Sequence, residues 1–331
     1  MAIMRGVSLY SYQQAYFKGE LTLEQCMEKV HTSAQAPGLE LIYEQMPAGR
    51  YPDPYDWEVS KFKELLAKYE LTPTCMDSFI DSKLYRGRES TIQEQVQMME
   101  QDLKLASRLG FYCIRVLAVV PLQVFEQAIP IAEYYGVSMG REVHAPLHLH
   151  DPWIQDTVEL ARKYNTKAVS LIPDFGIFMR GPSGSSLHYA KVMGADAEMI
   201  DLGAAACREG KSVDEVAEIL RAAGAGEREI QLFDNPMTRR HRYCDPELLR
   251  EVKNEIVHFH GKCNRFNEDC EEMTIDFANP IRVMKEMDWS GCIATEFEGQ
   301  RAYHGIECPY EEDEVEQVRR HHVLLRKLLG E

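Results

Sequence analysis

Eight short apolar runs, each followed by a stretch of helical periodicity, recur from one end of the chain to the other. They are GVSLYS (6–11), LELIYEQ (39–45), TPTCMDS (72–78), YCIRVLA (112–118), VSMGREVHA (137–145), AVSLIPD (168–174), IVHFHGK (256–262) and CIATEFE (292–298). Alternation of strand-like and helix-like segments predicts βα units around a parallel sheet, and eight such units close into a (β/α)8 barrel. At 331 residues the chain is long for an ordinary domain but normal for one barrel carrying insertions. The expectation is an α/β fold in a single domain spanning 1–331.

Helix starts are readable between the runs. Thr22 precedes Gln25 by three residues, Ser212 precedes Glu215 likewise, and Asp151-Pro152 and Asp245-Pro246 place proline where a first turn tolerates it. The last segment, EDEVEQVRRHHVLLRKLLG, carries acids early and bases late, as the helix dipole favours. Between the sixth and seventh runs the spacing exceeds what one crossover helix needs. The reading is a helical insertion over about 179–250, with a Gly/Ser-rich loop RGPSGSS (180–186) and helical patterns at 195–210, 212–223 and 245–255. Such an insertion beside a barrel rim serves as a lid, an oligomer contact or a solvated excursion.

Composition narrows the function. A formal charge of −16, from 53 acidic against 37 basic residues, disfavours a nucleic-acid partner and suits a cation. The basic stretch Arg239, Arg240, His241 and Arg242 reads as a solvated face or a subunit contact. Nine cysteines without a C-x-x-C spacing read as free thiols in a reducing compartment. Cys263 and Cys270, the pair nearest the candidate site, read as small half-buried side chains. With no apolar run long enough to span a membrane and no signal-like start, a cytoplasmic location without membrane contact is expected.

Toward the end of each of the last four runs lies a residue able to bind a hard cation: Glu142, Asp174, His260 and Glu296. In a closed parallel barrel the carboxyl ends of the strands meet at one rim, so these four converge. A buried carboxylate must be protonated, paired or metal-bound. Three carboxylates and one imidazole suit Mn²⁺ first, with Mg²⁺ or Co²⁺ also tolerated. Ion pairs with Arg115 and Lys262 are the competing way to satisfy the acids. His144 shares a strand face with Glu142 and can act as general base or acid near neutral pH. His148 could line the entrance, whereas His150 reads as part of a tight turn. His258 reads as an outer partner of the ligands, and Lys262 and Arg265 extend to where a substrate oxygen could be held.

On these residues the chain resembles the xylose-isomerase-like TIM-barrel superfamily of sugar phosphate isomerases and epimerases, and HFHGKCNR is similar to the H-x-H segment of ketose 3-epimerases. GVSLYSYQQAYF, EQMPAG, DSKLYRGR, MGREVHAP and SLIPDFGIFMR resemble the large catalytic subunit of bacterial C-glycoside deglycosidases. The broader resemblance implies metal binding by Glu142, Asp174, His260 and Glu296. The narrower one implies C–C bond cleavage in 3-oxo-C-glucosides, giving aglycone and a 1,5-anhydro-hexenulose, with a small β-rich partner subunit in a hetero-oligomer. His144, Glu142 and Glu296 are then the catalytic candidates. A metal-dependent ketose 3-epimerase or sugar isomerase is the alternative, and a noncatalytic sugar-binding subunit is a third. A nucleic-acid-cleaving barrel would need a basic surface that this chain lacks.

Overall fold

The computed structural model describes residues 3–299 and 310–331. Eight parallel strands are found among them: β1 (Met4–Ser8), β2 (Gly38–Ile42), β3 (Thr72–Ser78), β4 (Cys113–Val116), β5 (Ser138–Val143), β6 (Val169–Pro173), β7 (Phe259–Cys263) and β8 (Cys292–Phe297). They pair in the order β6-β5-β4-β3-β2-β1-β8-β7. Parallel bridges from Leu171 to Ile256 and from Asp174 to His260 bring β6 and β7 together, so the sheet closes into the expected barrel.

Helices flank the strands where the caps predicted them. Thr22 and Gln25 form a capping box ahead of the helix Leu23–Lys29, as Ser212 and Glu215 do ahead of Val213–Ala222. Pro152 opens the helix Pro152–Tyr164, and Asp313 caps the last helix, Glu314–Leu329. The helices Gly184–Val192, Glu227–Phe233 and Pro236–Arg240 go beyond the sequence reading, and two further segments differ from it. The first strand is Met4–Ser8 rather than 6–11, because the chain turns into a 3-10 helix over Leu9–Tyr12. There the Ser11 hydroxyl donates to the Thr295 carbonyl (3.0 Å) and accepts from the Phe297 N–H (2.9 Å), replacing ladder bonds with side-chain bonds. The helix expected at 245–255 is two 3-10 turns, Pro246–Arg250 and Lys253–Glu255. Cys244 is tied to the Ile177 carbonyl and Val257 to the Leu171 carbonyl, which leaves too little slack for a regular α-helix.

Inside the barrel, side chains alternate between lumen and helix layer. Part of the lumen is apolar and tight: Cys75, Cys113 and Ile172 pack together with Val257. Gly6 and Gly38 make room for Cys292, since a Cβ on either would lie 2.6 or 2.9 Å from its sulfur. The eight described cysteines are free thiols. Outside the wall, the buried Arg141 guanidinium sits over the Phe125 ring (4.5 Å), donates to the Ala118 carbonyl and bonds the Val120 carbonyl (3.0 Å). That anchor pins the end of β5 beside Glu142. Between β6 and β7 lie the helices Gly184–Val192, Ala197–Arg208, Val213–Ala222 and Glu227–Phe233. They share a small hydrophobic cluster of their own, including Leu187, Ile200, Leu220 and Phe233.

Candidate metal centre

Glu142 on β5, Asp174 just past β6, His260 on β7 and Glu296 on β8 all face the lumen and all are buried. The register explains the convergence: Asp174 lies opposite His260, and Lys262, two residues on, lies opposite Glu296. Potential ligand atoms from the four residues lie within 4.8 Å of one another. His260 Nδ1 is 3.0 Å from Glu142 Oε1 and 3.5 Å from Glu296 Oε2.

Five buried carboxylates, Glu40, Asp77, Glu142, Asp174 and Glu296, share the lumen with two permanent cations, Arg115 and Lys262. Arg115 Nε is 2.9 Å from Asp77 and 4.0 Å from Glu142. Lys262 Nζ is 2.5 Å from Glu298 and 3.9 Å from Asp174. Ion pairs alone leave negative charge in excess. Burial would raise the Glu142 carboxyl, but Arg115 and His260 overcome it and hold the group well below the usual carboxylate range. Burial pushes Asp174 up to about 7 even with Lys262 nearby, and Asp77 up to about 7 against Arg115. Asp174 Oδ1 accepts from the Gly176 N–H (2.5 Å), whereas Asp174 Oδ2 and Glu296 Oε2 have no hydrogen-bond donor among the described residues. Unbonded carboxylate oxygens converging in a negatively charged, buried space are the donor set that a divalent cation fits.

His144 lies directly beyond β5. Its Nδ1 is 2.6 Å from the Ala145 carbonyl, which can only accept, so Nδ1 carries the hydrogen. The Nε2 lone pair then accepts from Lys262 Nζ at 2.6 Å. A neutral imidazole is thereby aimed at the same lysine that approaches Asp174 and Glu298. His148 and His150 stand away from this cluster in a loop knitted to itself: the His150 N–H donates to His148 Nδ1 (3.2 Å), and His150 pairs with Glu251 (2.9 Å). Arg265 is engaged by Glu312 and lies over the Tyr310 ring (5.5 Å). His258 contacts Glu40 at 2.8 Å and stands edge-on to His260, with ring centroids 6.0 Å apart. Arg239 and Arg242 of the basic stretch pair with Asp214, Asp234 and Asp151. Sequence reasoning missed Glu40 and Asp77, although each is an acid set in an apolar run, the same signal that singled out Glu142.

The fold and this constellation define the class: the match to the xylose isomerase-like TIM barrel family covers residues 32–326. The chain belongs to that family. Among its relatives, the C-glycoside deglycosidase alpha subunit of Arthrobacter globiformis is 25% identical over 98% of this chain and 92% of its own length. The 3'-dehydrocarminate deglycosidase alpha subunit of a Microbacterium species is also 25% identical, over 98% of this chain and 95% of its own. The solved structure of an L-ribulose 3-epimerase, 12% identical, superposes with a TM-score of 0.55 over 100% of this chain and 95% of that one, a likeness of fold. No helix among the described residues is long and apolar enough to cross a membrane.

Proposed function

We propose that the chain is the large, catalytic subunit of a metal-dependent C-glycoside deglycosidase, a carbon–carbon lyase acting on 3-oxo-C-glucosides. The observation that carries this reading is His144: beside a cation-fitting cluster of Glu142, Asp174, His260 and Glu296 stands a separate, neutral proton acceptor. A 3-epimerase can exchange its proton through two carboxylates alone. The curated relatives are named deglycosidase alpha subunits, which supports the deglycosidase part of this reading.

The four residues would hold one divalent ion, with Mn²⁺ the first choice and Mg²⁺ or Co²⁺ alternatives, and the ion supplies Lewis-acid polarisation of the sugar carbonyl. The ketone at C3 acidifies the C2 proton. Removal of the C2 proton and departure of the aglycone break the C2–H and C1–aryl bonds, form the C1=C2 double bond and place a proton on the aryl carbon. His144 Nε2 serves this proton traffic, and the Lys262 ammonium, with Glu298 behind it, positions the imidazole. Glu142 and Glu296 flank the reacting carbons, and His148, Lys262 and Arg265 bind the glycoside as it enters.

In this reading a small β-rich subunit completes a hetero-oligomer, and the single barrel domain, with its insertion at about 179–250, works in the cytoplasm. The test combines the purified chain, Mn²⁺ and a 3-oxo-C-glucoside, with and without a small co-purifying protein. Release of aglycone supports the lyase. A free ketohexose converted to its epimer, with no aglycone released in the presence of the partner, would establish the epimerase instead.

A further inference from the structure

Beneath the four candidate ligands the lumen holds a second polar layer that has no place in the proposed chemistry. Glu40 on β2 is fully buried and reaches across to β7, where its Oε2 hydrogen-bonds His258 Nε2 (2.8 Å) and approaches His260 Nε2 at 3.4 Å, an ion-pair contact rather than a formed hydrogen bond. On the far side of His258, Nδ1 is 3.4 Å from the Tyr112 hydroxyl. These side chains form one line from the barrel floor to the candidate metal centre.

The line has a direction. A carboxylate oxygen lying between two ring nitrogens is accommodated when both nitrogens carry hydrogen. With hydrogen on Nε2, a neutral His260 has its lone pair on Nδ1. That nitrogen faces Glu142 Oε1 at 3.0 Å and Glu296 Oε2 at 3.5 Å, so it either carries a second hydrogen, which makes the ring an imidazolium, or gives that hydrogen up and presents its lone pair to a cation held among these acceptors. The opposite tautomer would set the Nε2 lone pair against Glu40 and spend the Nδ1 hydrogen on Glu142, removing His260 from the ligand set. Metal-ligating histidines commonly give their second N–H to a carboxylate, which fixes the tautomer and the ring orientation.

We infer that Glu40, itself braced by His258, is the positioning residue of the metal centre: it holds the hydrogen of His260 on Nε2 and so presents Nδ1 to the ion. Glu40, His258 and His260 are close enough to suggest a second cation site; the inference assigns them instead to hydrogen bonding, so the chain takes one ion. It rests on the metal-dependent reading above and goes beyond it by naming a residue outside the ligand set.

The experiment is a Mn²⁺ titration of the full chain followed by electron paramagnetic resonance, repeated on Glu40→Gln, with circular dichroism to confirm folding. The expected result is one ion per wild-type chain and an affinity about 10- to 100-fold weaker in the variant, the range seen when such outer partners are lost. Aglycone release by Glu40→Gln then recovers when Mn²⁺ is raised to saturation. Unchanged affinity, or two ions per wild-type chain, overturns the inference. Should the variant not fold, nitrogen-15 histidine spectra of the wild-type chain loaded with Zn²⁺ decide: coordination through Nδ1 of His260 with Nε2 protonated upholds it, and coordination through Nε2 overturns it. A wild-type chain that binds no divalent ion removes the metal-dependent reading along with this one, a result distinct from those that remove this one alone.

Discussion

Two fully buried histidines on opposite sides of the barrel wall are pushed in opposite directions by their surroundings. His260 stands in the lumen, where burial works to discharge it but Glu40 and Glu296 prevail and carry its pKa well above the ordinary imidazole value. His321 stands outside the wall, on the last helix, stacked on Phe266 at 5.1 Å and edge-on to Phe277 at 4.6 Å. Its Nδ1 meets the Thr295 hydroxyl at 3.0 Å, and burial pushes it down to about 3. Burial is equal in the two places. Opposing charge decides the outcome, so a buried histidine marks a reactive site only where carboxylates surround it.

The contrast is broken most severely from the lumen side. Glu296→Ala removes a carboxylate that approaches His260, and divalent-ion binding should fall below detection by isothermal titration while the fold survives. Retained stoichiometric binding would show that the lumen charge does not serve a cation. His144→Ala should lower kcat for aglycone release by about 10²- to 10⁴-fold, the range for loss of a general acid–base group, with Mn²⁺ affinity unchanged. A parallel loss of affinity would make His144 part of the ion's site.

On the outer side the expected effects are on stability alone. Phe277 is buried against Phe175 (centroids 4.8 Å apart) as well as His321. Phe277→Ala should cost about 3–5 kcal/mol in chemical unfolding and leave ion affinity intact, which separates the two regions cleanly. The smallest effect is in acid. Unfolded, His321 takes up its proton near pH 6.5; folded, it does so only near pH 3. The unfolded chain therefore binds the extra proton between those values, and this ring's contribution to stability, intact above about pH 6.5, is lost as pH falls. His321→Gln should flatten that acid limb when urea midpoints are compared at pH 7 and pH 5. An equally steep limb in the variant would place the acid sensitivity in other groups.

The same contrast separates what could be read from the chain from what could not. All eight apolar runs fold as strands, because a run of β-favouring residues bounded by turns is a local property. Their ends shifted where a side chain replaced the backbone ladder, as Ser11 does for Thr295 and Phe297. The convergence of Glu142, Asp174, His260 and Glu296 was legible because each lies toward the end of a run and parallel closure carries every run's end to one rim. Glu40 and Asp77 carry the same mark on β2 and β3 but went unread, since their partners His258 and Arg115 lie on other strands. Nothing in HHVLLRK distinguishes His321 from a solvent-facing helix residue until Phe266 and Phe277 are seen against it.

By itself the sequence determined the number and order of the strands, the residues that alternate into the lumen, and the acid excess that suits a cation. Tertiary structure alone decided that Lys262 meets His144, that Glu40 stands behind His260, and that Arg115 is spent chiefly on Asp77. The reason is physical: side-chain alternation repeats every two residues and is written locally, whereas these partnerships are set by closure of the barrel, through which Glu40 and His258, 218 positions apart in the chain, come into contact.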